Sequence, residues 1–310
     1  MKVAIITREN YRSPRFLAEG LSNMLNKIGI INDVHYRGIE QLELACTKKS
    51  GLKLAAKATV TKFLLNSWKQ YDLFIVSDTV GILAQEKIII TLRQLNKPVA
   101  LYEVFYPGGA QYWLDRLPPC SLDLFDAYLT TSPVNDIEPV GEKPVYNIGI
   151  NLNHRPMHSS QGSDEFTALM DFPRPGYEDE RNLQLAALKA LDIKTIYLGG
   201  EYDFEEINRV YDQANIYFVA FPEAFGVPIV QLQNSGAYIA SPSTDWVKRH
   251  AKEAGDLVHV NFNKNLFSNN FIFYDSYQEL LTRLEYIRQH YKAEDIQKRF
   301  SQEQPNFKHG

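Results

Sequence analysis

Residues 217–243 read Tyr-Phe-Val-Ala-Phe-Pro-Glu-Ala-Phe-Gly-Val-Pro-Ile-Val-Gln-Leu-Gln-Asn-Ser-Gly-Ala-Tyr-Ile-Ala-Ser-Pro-Ser. An apolar strand ends at Phe221. The turn after it carries an acid, an aromatic and a glycine: Glu223, Phe225 and Gly226. A helix then runs to Ser235 and Gly236, and a second apolar strand ends at Ser241-Pro242. Short apolar strands separated by a helix are the repeating unit of parallel α/β layers.

The rest of the chain repeats that alternation. Strands are expected at residues 3–7, 32–36, 73–77, 99–104, 127–131 and 145–148. Helices are expected at 14–28, with Ser13 as N-cap and Pro14 at the first helical position, and at 80–95. A polar stretch follows, with Asn153, His154, Arg155 and Pro156, then Ser159, Ser160, Gln161, Gly162 and Ser163. Its loop composition marks a domain boundary. The second half restarts with strands at 166–170, 195–198 and 216–221. Helices are expected at 182–191 and 204–214, and a long terminal one at 277–298. This predicts an α/β fold of two Rossmann-like domains, residues 1–152 and 153–285, facing across a cleft. The terminal helix, 286–310, is expected to return to the first domain.

At 310 residues the chain is long enough for two ordinary domains. Apolar residues at 45% and charged residues at 23% fit a globular protein. A net charge of −4 makes no overall case for nucleic acid or an anionic surface. Two cysteines, Cys46 and Cys120, are too few for a disulfide framework. The N-terminal Met-Lys-Val-Ala-Ile-Ile is too short an apolar run for a signal peptide, and no window reaches the roughly 18 apolar residues of a spanning helix. A cytoplasmic location is expected, with peripheral membrane contact as an alternative. The seven histidines show no metal-ligand spacing, so no metal site is assigned. There is no Gly-x-Ser-x-Gly elbow, Walker loop or Gly-x-Gly-x-x-Gly run.

Pro222, Glu223, Phe225, Gly226 and Pro228 fall where the donor-sugar signature of retaining GT-B glycosyltransferases (group 1, family 4 type) has Pro-x-Glu-x-Phe-Gly-x-Pro-x-x-Glu. The sequence resembles that family elsewhere too. Residues 125–132 are similar to the strand that ends the first domain. Residues 146–151 with His154-Arg155-Pro156 look like the crossover segment, and residues 204–217 like the step before the donor motif. There are departures as well. Gln231 replaces the second acid of the signature. Residues 8–13 replace a glycine pair, and Glu103 sits near the place of a histidine.

The resemblance implies a glycosyltransferase that takes a nucleotide-sugar as substrate, with no bound cofactor and no essential metal. Glu223 would hydrogen-bond the donor sugar. The backbone at Phe225, Gly226 and Val227 would face the diphosphate and sugar. Gln231, on the same helical face as Val227, would hold the ribose, more weakly than a carboxylate. Arg174 and Arg181 would neutralise phosphate, and Glu103 would be an acceptor-side base. The plainer alternatives are a helix-capping acid at Glu223, strand-to-helix geometry at Gly226 and Pro228, and solvated arginines.

Residues 45–71 hold no acid but six lysines: Lys48, Lys49, Lys53, Lys57, Lys62 and Lys69. Leu52, Ala56, Val60, Phe63, Leu64 and Trp68 form an apolar stripe beside them. A basic amphipathic helix of this kind suits an anionic membrane surface, a phosphorylated partner or lipid-linked sugar, or nucleic-acid phosphates; the plainer alternative is a solvated lysine face on an ordinary core helix. Three functions therefore stand: a glycosyltransferase, a non-catalytic binding or stabilising homologue, and a nucleic-acid base glycosyltransferase.

Overall fold

The computed structural model describes residues 1–7, 12–36, 66–77, 89, 92–103, 124–132, 143–154, 165–221, 223, 225–243, 250–252 and 262–310. The chain divides into two compact units, Met1–His154 with His309–Gly310, and Arg155–Lys308.

The described part of the first unit is a parallel sheet with a helix. Its strands are β1 (Lys2–Ile6), β2 (Ile31–His35), β3 (Leu73–Val76), β4 (Val99–Glu103), β5 (Ala127–Thr130) and β6 (Val145–Asn147), in the order β2-β1-β3-β4-β5-β6. All pairings are parallel. The runs Val-Ala-Ile-Ile and Leu-Phe-Ile-Val are continuous apolar strings because both faces of a parallel sheet are covered. Helix α1 (Arg12–Lys27) begins ahead of its expected start, so Ser13 lies inside the first turn and not at the cap. Trp68, the last member of the apolar stripe, is buried with Tyr71 and Phe74, while Lys69 is exposed. The other five lysines of that segment, Cys46, Cys120 and most of residues 80–95 lie outside the described residues.

The second unit has five parallel strands in the order β11-β10-β9-β7-β8. They are β7 (Thr167–Met170), β8 (Lys194–Tyr197), β9 (Ile216–Phe218), β10 (Tyr238–Pro242) and β11 (Phe271–Tyr274). Strand β11, Phe-Ile-Phe-Tyr, was absent from the sequence expectation. It is an edge strand of four residues, and its pairing with β10 is a relation between distant parts of the chain.

Its helices are α2 (Glu178–Ala190), α3 (Phe204–Tyr211), α4 (Val227–Ser235), α5 (Tyr277–His290), α6 (Ala293–Glu303) and α7 (Pro305–Lys308). Helix α2 starts earlier than expected, and its first turn is Glu178, Asp179 and Glu180. Helix α3 opens with a full capping box: Asp203 accepts from Glu206 N–H, and the Glu206 carboxylate accepts from Asp203 N–H. The long terminal helix expected at 277–298 is two helices, broken at Tyr291-Lys292, where the backbone is extended. Helix α6 then packs on α4 in the same unit, and only His309–Gly310 belong with the first unit.

Strand periodicity sorts the core of this unit into two faces. Leu169, Tyr217, Ile239, Phe271 and Phe273 pack on one side with Ile207 of α3 and Ile229 and Leu232 of α4. Ala168, Met170, Ile216, Phe218, Ala240 and Ile272 pack on the other with Ala187 and Leu188 of α2 and Leu280 and Leu284 of α5. Asn215 fixes the start of the central pair. Its side-chain oxygen accepts Thr167 N–H at 2.7 Å, and its own N–H bonds Thr167 O at 2.9 Å.

Gly236 ends α4 in the left-handed region, at φ 100°, and a Cβ there would lie 2.7 Å from the Ala293 Cβ. Gly236→Ala combines a positive-φ cost with a clash against α6. It is expected to lower stability by about 2 kcal/mol or more. Urea denaturation checks this; an unchanged midpoint would show that the α4–α6 corner relaxes freely.

Candidate functional site

In the second unit, chain order reverses between β7 and β9. Strand β7 connects through α2 to β8 on one side, and β9 through α4 to β10 on the other. Helices leaving neighbouring carboxyl ends in opposite directions open a crevice, and open α/β sheets bind ligands there. Asp171 and Phe172 follow β7. Phe221, Glu223 and Phe225 follow β9. The two segments are joined at their base, where Asp171 N–H bonds Phe218 O at 3.3 Å.

Glu223 is placed by the turn between β9 and α4. Its carboxyl accepts the Phe225 N–H. Burial, followed by the nearby Asp171 carboxylate, pushes it up to about 7, while Arg174 and the Phe225 amide act the other way. Asp171 is 7% exposed, and burial raises its carboxyl as well. It is held by the Tyr217 hydroxyl and by Phe172 N–H at 2.7 Å. Burial, then Asp171, drives the Tyr217 phenol well above its ordinary range. The crevice therefore holds two carboxyl groups that burial raises above their ordinary values.

The arginines divide between support and exposure. The Arg181 side chain donates to the Asp171 carbonyl, so it braces the turn after β7. Arg174 is exposed, its guanidinium 4.6 Å from the centroid of the Phe221 ring. That places one cation on an aromatic platform beside Glu223, where an anionic group can reach it.

At Gly226 the constraint is tight space and not φ. A Cβ there would meet Glu223 Cγ at 3.0 Å and the Ile229 side chain at 3.1 Å. Its N–H donates to His250 Nε2 at 3.4 Å. With the Phe225 amide on Glu223, two of the three backbone positions expected to face a ligand already bond within the protein. Val227 is buried and opens α4, whose first turn has no acid and whose cap Gly226 supplies no side chain. Helix α2, the other helix rising from this crevice, has three acids in its first turn. The macrodipole therefore favours an anion at α4 and not at α2. Gln231 is 7% exposed, on α4.

Glu103 ends β4 in the other unit, paired with Thr130, and its side chain lies outside the described residues, as do Pro222 and Ala224. The sequence reading missed Asp171, Tyr217 and His250. Asp171 was legible as an acid following an apolar strand. His250 was not, because nothing local ties it to Gly226.

The raised Glu223 carboxyl has a sign. With an unfolded value near 4.5 and a folded value of about 7, the native state holds the extra proton between them. Its stabilising contribution is complete below about pH 4.5 and is lost as pH rises through 7. Stability of Glu223→Gln is expected to fall less than wild type over that window, followed by urea midpoints. Parallel profiles would show that Glu223 ionises as a solvated acid does.

No family model and no curated protein sequence matches this chain. Solved structures do. HepE from Anabaena, in complex with UDP and glucose, aligns with a TM-score of 0.56 at 13% identity, over 98% of this chain and 95% of that one. Sucrose-phosphate synthase from Thermosynechococcus elongatus gives 0.53 at 11%, over 98% and 94%. UDP-GlcNAc 2-epimerase from Neisseria meningitidis, bound to UDP-GlcNAc, gives 0.52 at 11%, over 99% and 96%. At such identities the likeness is one of fold, and the fold is the two-unit α/β architecture of the GT-B type.

Proposed function

We propose that this protein is a glycosyltransferase that binds a nucleotide-sugar at the β7–β9 crevice and passes its sugar to a glycan, lipid-linked or other polymer acceptor. The observation that carries this is Glu223, a half-buried carboxyl beside an exposed arginine at the switch point of a GT-B-type unit. Near neutral pH Glu223 can both donate to and accept from sugar hydroxyls, as its partly protonated state allows. Arg174 would neutralise the leaving diphosphate in place of a metal ion, with the start of α4 behind it. Gln231 would take the ribose. Glu103, on the other unit, would be the acceptor-side base. By its resemblance the reaction retains the anomeric configuration.

HepE and the epimerase are each described in complex with a uridine nucleotide, UDP or UDP-GlcNAc, which supports a nucleotide-sugar ligand. The epimerase also shows that the fold serves chemistry other than transfer. Among the described residues no helix is long and apolar enough to cross a membrane.

A second reading is a degenerate homologue that transfers no sugar, binds no nucleotide-sugar and serves as a binding or stabilising subunit. It is favoured by the loop amides at Phe225 and Gly226, which already bond within the protein, and by Gln231 in place of an acid. Thermal shifts with UDP-, GDP-, ADP-, TDP- and CMP-sugars separate the two. A donor at 100 times its Kd adds about 2.7 kcal/mol, a visible rise in midpoint. One sugar nucleotide is expected to respond, and Glu223→Ala to lose the added effect of the sugar while keeping that of the bare nucleotide. A flat panel would sink the transferase.

A further inference from the structure

The geometry points to His250 as a positioning residue for the Glu223–Gly226 loop, itself held in place by the C-terminal turn around Gln304 and Phe307. Its part in catalysis rests on the function proposed above; the coupling of loop to C-terminal turn does not.

His250 is fully buried. Its ring stacks on Phe225, with centroids 4.9 Å apart and planes 8° from parallel. Its Nε2 accepts the Gly226 N–H at 3.4 Å. One imidazole therefore fixes two successive loop residues, one by its face and one by its edge. Glu223 is tied to the same pair, since it accepts the Phe225 amide and its Cγ fills the space that a Cβ on Gly226 would need.

The histidine is located from the far end of the chain. Gln304 Nε2 donates to His250 O. Phe307 meets both rings of the stack edge-on, 5.5 Å from Phe225 and 6.1 Å from His250, and is 2% exposed. Phe271 of β11 closes the cluster at 5.9 Å. Lys252, two residues on, is pinned as well, its N–H bonded to Leu266 O. The described residues of the loop that carries Glu223, between β9 and α4, form no helix or strand of their own. Their support comes from a segment more than 80 residues downstream.

If this coupling holds, loosening the C-terminal turn loosens the loop, and by linkage a ligand that orders the loop protects the turn. The test is amide hydrogen exchange on the full chain, comparing wild type with His250→Phe and Phe307→Ala. Phenylalanine keeps the stack and removes the acceptor. Peptides covering 223–229 are expected to exchange about tenfold faster in both variants, while those covering 178–197 stay as in wild type. In glycine-labelled protein the Gly226 amide proton is expected to move upfield in His250→Phe.

Unchanged exchange at 223–229 would overturn the proposal. So would a uniform increase across the unit, which would make His250 a packing residue only. Adding UDP to wild type is expected to slow exchange in 223–229 and 300–308 together. UDP that slows only the first segment also overturns the coupling. UDP that binds nowhere counts against the proposed function, and the variant comparison alone then decides this inference.

Discussion

Parallel pairing of β7 with β9 is the constraint on which the second unit depends. These strands are neighbours in the sheet but not in the chain, and Asn215 ties their starts together through both its backbone and its side chain. Because every pairing is parallel, all carboxyl ends lie on one edge. Because β8 lies to one side and β9 to β11 to the other, the helices after β7 and β9 must diverge. The crevice is a consequence of that topology, and it would exist whichever residues lined it.

Residue chemistry then decides what the crevice can do. Burial raises the Glu223 carboxyl more than Arg174 and the Phe225 amide lower it, because the arginine is exposed and its field is screened by water. Asp171 adds like-charge repulsion at short range. The two helix starts are unequal for a similar reason. Three acids at the head of α2 already occupy its dipole, whereas α4 opens with Gly226, Val227 and Pro228 and carries no charge there. One site thus combines a carboxyl raised to about 7 with an exposed cation and an uncharged helix start.

The described residues of the loop bearing Glu223 form no helix or strand, so their order comes from neighbours. The aromatic group of Phe225, His250, Phe271 and Phe307 supplies it by stacking and edge contacts, and one N–H···N bond sets the direction of Gly226. The break between α5 and α6 matters here. The extended backbone at Tyr291 and Lys292 turns α6 onto α4 and delivers Gln304 and Phe307 to the loop.

Much of this was legible in the amino-acid string. Continuous apolar runs gave the strands, and the turn from Phe221 to Gly226 marked the site, because strand periodicity and glycine placement are local properties. Helix starts at α1 and α2 were misplaced by a few residues, since polar first turns carry no apolar period. The sequence by itself determined a doubly layered α/β chain in two parts, and the acid, aromatic and glycine at the head of α4. Only the tertiary structure decided that Asp171 and Glu223 share a crevice, that Arg181 braces a backbone turn while Arg174 stays exposed, and that His250 and Phe307 hold the loop. Those are relations between residues distant in the chain, and desolvation, like-charge repulsion and ring stacking depend on distance in space.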